Sequence, residues 1–92
     1  MRYLELREGV KYKKGYYICI IKDNVLGSNY NGTYGTIIGN RQQEIWFEVK
    51  HWGKQLRGKK HCKKYYASEN NDLFIIEKTL KKLLDRLFIE KL

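Results

Sequence analysis

The sequence predicts a mainly β domain that ends in one helix, and two observations carry that expectation. Between residues 10 and 77 the apolar residues are largely β-branched or aromatic and come in short runs broken by Gly, Asn and Asp, the pattern of strands separated by turns. Beyond residue 79 the period changes: Leu80, Leu83, Leu84, Leu87 and Phe88 recur at helical spacing, with Lys81, Lys82, Asp85, Arg86 and Lys91 opposite. A chain of 92 residues fits one domain, 1–92. A domain this short buries only about 60–65% of its unfolded surface, so every element must contribute to a compact core.

Taken in order, Tyr3, Leu4 and Leu6 read as a short leading strand before Gly9. Val10 to Lys22 reads as the next strand, with Gly15 marking a bend or bulge. Asp23 and Asn24 signal a turn, and Gly27 to Gly32 is a loop of residues that tolerate positive φ. Thr33 to Ile38 follows as a strand, Gly39 to Gln43 as a hairpin turn, and Glu44 to Trp52 as a strand of clean alternation. That alternation puts Ile45, Phe47 and Val49 on one side and Glu44, Trp46, Glu48 and Lys50 on the other. A long loop punctuated by Gly53 and Gly58 leads to a strand near His61 to Ala67. Ser68 to Asp72 is a loop, Leu73 to Glu77 the last strand, and Thr79 the N-cap of the helix over 79–91. The helix is expected to cover the open face of the sheet rather than to pair with a second copy or a partner.

The formal charge of +9 is unevenly spread. Residues 1–48 carry +2 and residues 67–92 carry zero, whereas residues 49–66 hold Lys50, Lys54, Arg57, Lys59, Lys60, Lys63 and Lys64 with no Asp or Glu. A solvated surface normally mixes both signs, so a run of one sign points to a negatively charged partner. His51, Trp52, His61, Tyr65 and Tyr66 are interleaved with these cations. Aromatic faces stack on unpaired bases while Lys and Arg neutralise phosphates, which makes Trp52 and Tyr65 the candidate stacking surfaces. Trp52 is expected to be exposed, whereas Trp46, Phe47 and one of Tyr65 or Tyr66 are expected to point into the core.

The stretch KKGYYICIIKDNVLGSNYNGTYGTIIG resembles the KOW motif of ribosomal proteins and transcription elongation factors. Lys14-Gly15 opens an apolar strand, and Gly27, Gly32 and Gly35 precede the β-branched Ile37 and Ile38. The glycine spacing is one residue longer than in the family, and Asn and Tyr stand where family members often carry Lys. The resemblance implies a small SH3-like five-stranded antiparallel barrel over 10–77 and a secondary contact loop formed by Tyr30, Asn31 and Tyr34.

Catalysis has no support in the residues. The acids are scattered, no Cys-x2-Cys or His-x3-His spacing occurs, and Cys62 lies beside His61, where strand alternation directs the two side chains apart. No cofactor or metal is expected. The longest apolar runs, Tyr16 to Ile21 and Leu73 to Ile76, fall short of the roughly 20 residues a membrane helix needs. Met1 to Glu8 lacks the apolar core of a secretory signal, so a cytoplasmic location is expected, with Cys19 and Cys62 as reduced thiols. The expected function is a non-catalytic module that binds RNA or DNA backbone, alone or within a nucleoprotein complex. The alternative is a small virus- or mobile-element-type protein that docks on an acidic or nucleic-acid-binding surface of another protein, anchored by Trp52 or the C-terminal helix, to inhibit or recruit it.

Overall fold

The computed structural model describes residues 12–53 and 63–91, with side chains up to Leu87. The strands are β1 (Tyr17–Lys22), β2 (Tyr34–Arg41), β3 (Glu44–His51), β4 (Lys64–Ser68) and β5 (Leu73–Glu77), followed by helix α1 (Leu80–Lys91). A single 3-10 turn, Ser28–Tyr30, interrupts the connection from β1 to β2. All neighbouring strands are antiparallel, in the spatial order β4-β3-β2-β1-β5. The expected mainly β fold with a C-terminal helix is therefore observed, and β5 occupies the segment its sequence predicted.

Burial along the strands follows from what covers each face. In β2 and β3 buried and half-buried residues alternate, because only the inner face meets the core. In β1 and β5 three consecutive residues are buried, Ile18 to Ile20 and Phe74 to Ile76, because this pair is covered on both sides. The inner core takes Ile18, Ile20, Ile37, Ile45, Phe47, Tyr65, Ala67, Phe74 and Ile76, so every strand contributes. On the outer side Cys19 and Ile75 meet Leu83 of α1, with Tyr17, Ile21, Tyr34, Leu80 and Leu87 around them.

The helix thus packs on its own sheet, as its apolar stripe predicted. The Lys82 amide donates to Thr79 Oγ1 at 3.2 Å, so the N-cap forms as well. Arg86 Nη1 to Glu77 Oε2, at 2.7 Å, ties the second turn of the helix back to the end of β5.

Three expectations need correction. The turn expected over Gly39 to Gln43 is confined to Gln42 and Gln43, both at positive φ, because Gly39 to Arg41 stay paired with Trp46 to Glu44. The sheet is not closed into a barrel: β4 and β5 are its two edges, and side chains rather than a hydrogen-bonded ladder bridge the gap between them. The Asp72 carboxylate does this on one side, with Oδ1 accepting from the Asn24 amide at 2.8 Å and Oδ2 from the Ser68 amide at 2.9 Å. The strand expected over Val10 to Lys22 starts only at Tyr17, because the chain turns at Lys14-Gly15, where the Tyr16 amide donates to Lys13 O at 3.1 Å. The leading strand expected at Tyr3 to Leu6 lies outside the described residues.

β2 and β3 approach closely at Gly35, next to a register shift at Tyr34/Gly35. A Cβ there would stand 2.0 Å from the Glu48 carbonyl oxygen, which is backbone and has no rotamer to give. Gly35→Ala is expected to cost about 1–3 kcal/mol or more of unfolding free energy in urea titrations. An unchanged midpoint would show that the strands part at that point without penalty.

Candidate nucleic-acid interface

The basic segment is the connection between two paired strands. Glu48 stands opposite Lys64, and the Val49 amide donates to Lys63 O at 2.8 Å, so the segment leaves β3 and returns to β4 at one place. Lys54, Arg57, Lys59 and Lys60, with His61 and Cys62, lie outside the described residues. Lys50, Lys63 and Lys64 are exposed beside the two anchored ends. Lys50 reaches Glu48 at 3.9 Å, an open and solvent-screened pair that holds neither side chain firmly.

The aromatic residues divide by strand parity. Tyr65 turns inward between Lys64 and Tyr66 and is only 7% exposed. Its hydroxyl donates to Asp23 Oδ2 at 2.5 Å, while Asp23 Oδ1 accepts from the Val25 and Leu26 amides at 3.0 and 2.8 Å. Burial first, and then this bond to Asp23, push the Tyr65 phenol far above its usual range. Tyr30 stacks on Tyr65 with centroids 4.7 Å apart, and Trp52 and Phe47 meet the same ring edge-on at 5.7 and 6.0 Å. Tyr65 is therefore part of the core and not a stacking surface for bases. Trp52, expected to be exposed, is half-buried and packs against the inner core.

Gly53 makes this arrangement possible. A Cβ at that position would lie 2.5 Å from Asn31 O and 2.7 Å from Asn29 O, so only glycine lets the chain leaving β3 press against the 3-10 turn. Its amide donates to Thr33 Oγ1 at 2.8 Å, which fixes the approach. Tyr30, Asn31 and Tyr34, the loop residues expected to make contacts, are half-buried and each has a partner within the fold. Tyr30 lies on Tyr65, Asn31 Oδ1 accepts from the Asp23 amide at 2.8 Å, and Tyr34 stacks on His51 at 5.1 Å and borders the helix-side cluster.

The residues that strand parity turns outward are Trp46 and Tyr66. They stand directly opposite each other on β3 and β4, with centroids 5.0 Å apart; both are half-buried, and the Tyr66 ring also borders that of the core residue Tyr65 at 5.6 Å. Trp46 was expected in the core; it lies on the outer face because Ile45 and Phe47, its neighbours, both point inward. Trp46 Nε1 donates to Glu44 Oε1 at 3.1 Å, and burial, followed by the negative charge of Glu44, raises the Tyr66 phenol. The alternation of Glu44 to Lys50 already places Trp46 on the face opposite Ile45 and Phe47.

Among the described residues no three His, Cys, Asp or Glu side chains are grouped as a metal site, and no helix is long and apolar enough to cross a membrane. No family model, curated protein or solved structure matches the chain.

Tyr65→Phe leaves a buried Asp23 oxygen without its donor and is expected to cost about 1–3 kcal/mol near neutral pH, read by urea unfolding. The folded phenol is raised above 10.0, so the unfolded chain loses that proton first. The Tyr65 contribution is then complete below pH 10 and declines above it, and the stability gap between wild type and variant should narrow as the pH rises further. A gap constant across that range would contradict the assignment.

Proposed function

We propose that this chain is a small, non-catalytic module that binds nucleic acid by its phosphate backbone through the cations of residues 49–66. The observation that carries this reading is the paired base of the β3–β4 hairpin. It leaves Lys50, Lys63 and Lys64 exposed at one end of the β3–β4 pair, within a segment that holds seven cations and no acid. Clustered charge of this kind steers polyanions and gains affinity by releasing their counterions. The KOW-like loop adds a family resemblance to the reading, but Tyr30, Asn31 and Tyr34 are half-buried and each has a partner within the fold, so the contacts fall to the hairpin. Docking on an acidic protein is the weaker reading, since Trp52 and the helix, its expected anchors, both pack against the chain itself. A cytoplasmic place, with access to RNA or DNA, belongs to the same proposal.

Neutralising five to seven phosphates gives a slope of log K on log salt of roughly −4 to −6, measured by titrating a labelled oligonucleotide at several salt concentrations. Replacing Lys59, Lys60, Lys63 and Lys64 by Gln should flatten that slope by about 3–4 and weaken binding similarly across sequences. A salt-independent affinity, or a slope unaltered in the quadruple variant, would refute the reading.

A further inference from the structure

We infer that the outer face of β3 and β4 is a stacking platform for single-stranded nucleic acid, with Trp46 and Tyr66 receiving bases. The inference rests on the function just proposed and names the strand state of its ligand. The helix covers the outer side of β1 and β5, where Tyr17, Cys19, Ile21 and Ile75 lie, and Trp46 and Tyr66 are not among the residues it packs against. Those two rings are cross-strand neighbours, tilted 38° to each other with centroids 5.0 Å apart, and only Tyr66 reaches the core, at the Tyr65 ring. Every base has a π-face, so adjacent rings next to cations bind unpaired strands with little regard to sequence.

The charges around the rings are arranged for a strand lying in one sense. Lys64 is on the same face as Tyr66, about 7 Å along β4, and Lys50 stands on that face of β3 at the anchored end of the basic segment. Phosphates are drawn to this end. Glu44 lies beyond the rings in the other direction, bound to the Trp46 indole N–H at 3.1 Å. A carboxylate there repels phosphate but accepts from the amino groups of bases, so it favours base edges over backbone. Glu48, opposite Lys64, makes only an open, solvent-screened pair with Lys50 at 3.9 Å, so this end presents two lysines against one carboxylate. A second copy of the chain is a poor occupant, because its own charge of +9 would be brought against Lys50, Lys63 and Lys64. A duplex is a poor occupant too, because its bases are stacked on each other and offer no face to a flat sheet.

The test compares an oligothymidine, an oligouridine of equal length and a DNA duplex. Trp46→Leu with Tyr66→Leu should weaken binding of at least one single strand by about 10- to 100-fold, leaving duplex affinity and the salt slope nearly unchanged. Trp46→Phe, which keeps a ring, should retain most of the affinity. To guard against a variant that fails to fold, Trp52→Phe leaves Trp46 as the sole tryptophan, and its fluorescence should be quenched by the single strand that binds. Salt-dependent duplex binding with Trp46 unquenched, or with single-strand affinity within twofold of wild type in the Leu variant, would overturn this inference alone. If wild type binds none of the three oligonucleotides, the proposed function falls and the platform with it.

Discussion

The hydrogen bond from Tyr65 to Asp23 is the constraint on which the arrangement of the interface depends. It joins β4, an edge strand, to the turn after β1, across a gap that no backbone ladder closes. Both partners are nearly removed from solvent, so the phenol and the carboxylate each need the other. The carboxylate also holds the Val25 and Leu26 amides, and the Tyr65 ring is clasped by Tyr30, Trp52 and Phe47. An open sheet with loosely held edges would leave its inner face wet; here side chains seal it.

From that one inward residue the rest of the hairpin takes its orientation. Because successive strand residues alternate, fixing Tyr65 inside turns Lys64 and Tyr66 out, and the pairing of β4 with β3 brings Trp46 beside Tyr66. A slip of one residue would put Lys64 and Tyr66 into the core and expose Tyr65 and Ala67, so burial itself enforces the register. Gly53 serves the same end from the β3 side, letting the chain press on the 3-10 turn as it leaves the strand. On the proposed function, the fold supplies an anchored base for the cations that reach phosphate, with the Trp46–Tyr66 pair beside it.

Much of this architecture was legible in the sequence, for identifiable reasons. Leu73 to Glu77 and the helix from Leu80 were legible because their patterns are long, clean and bounded by polar turns, and Thr79 caps the helix as its position predicts. Ile45, Phe47 and Val49 were legible as one face because period 2 is unambiguous there. Phe47 and one of the Tyr65–Tyr66 pair lie inside as expected, whereas Trp46 and Trp52 do not lie where they were expected. Trp52 and Tyr65 stand among lysines in the chain, yet the contacts that bury them come from Tyr30, Asp23 and Asn29 to Asn31, far away in sequence and invisible to local pattern. The closed barrel failed for a related reason: edge closure is a property of long-range pairing, which glycine spacing does not encode.

The most direct measurement is the pattern of amide and indole shifts in an NMR titration of the isotopically labelled chain with a short single-stranded oligonucleotide. Shifts should gather on Lys50, Lys63, Lys64, Tyr66 and the Trp46 indole, with the Tyr65 core unmoved. Shifts centred instead on the Val25-Leu26 turn or on α1, with β3 and β4 silent, would contradict the account.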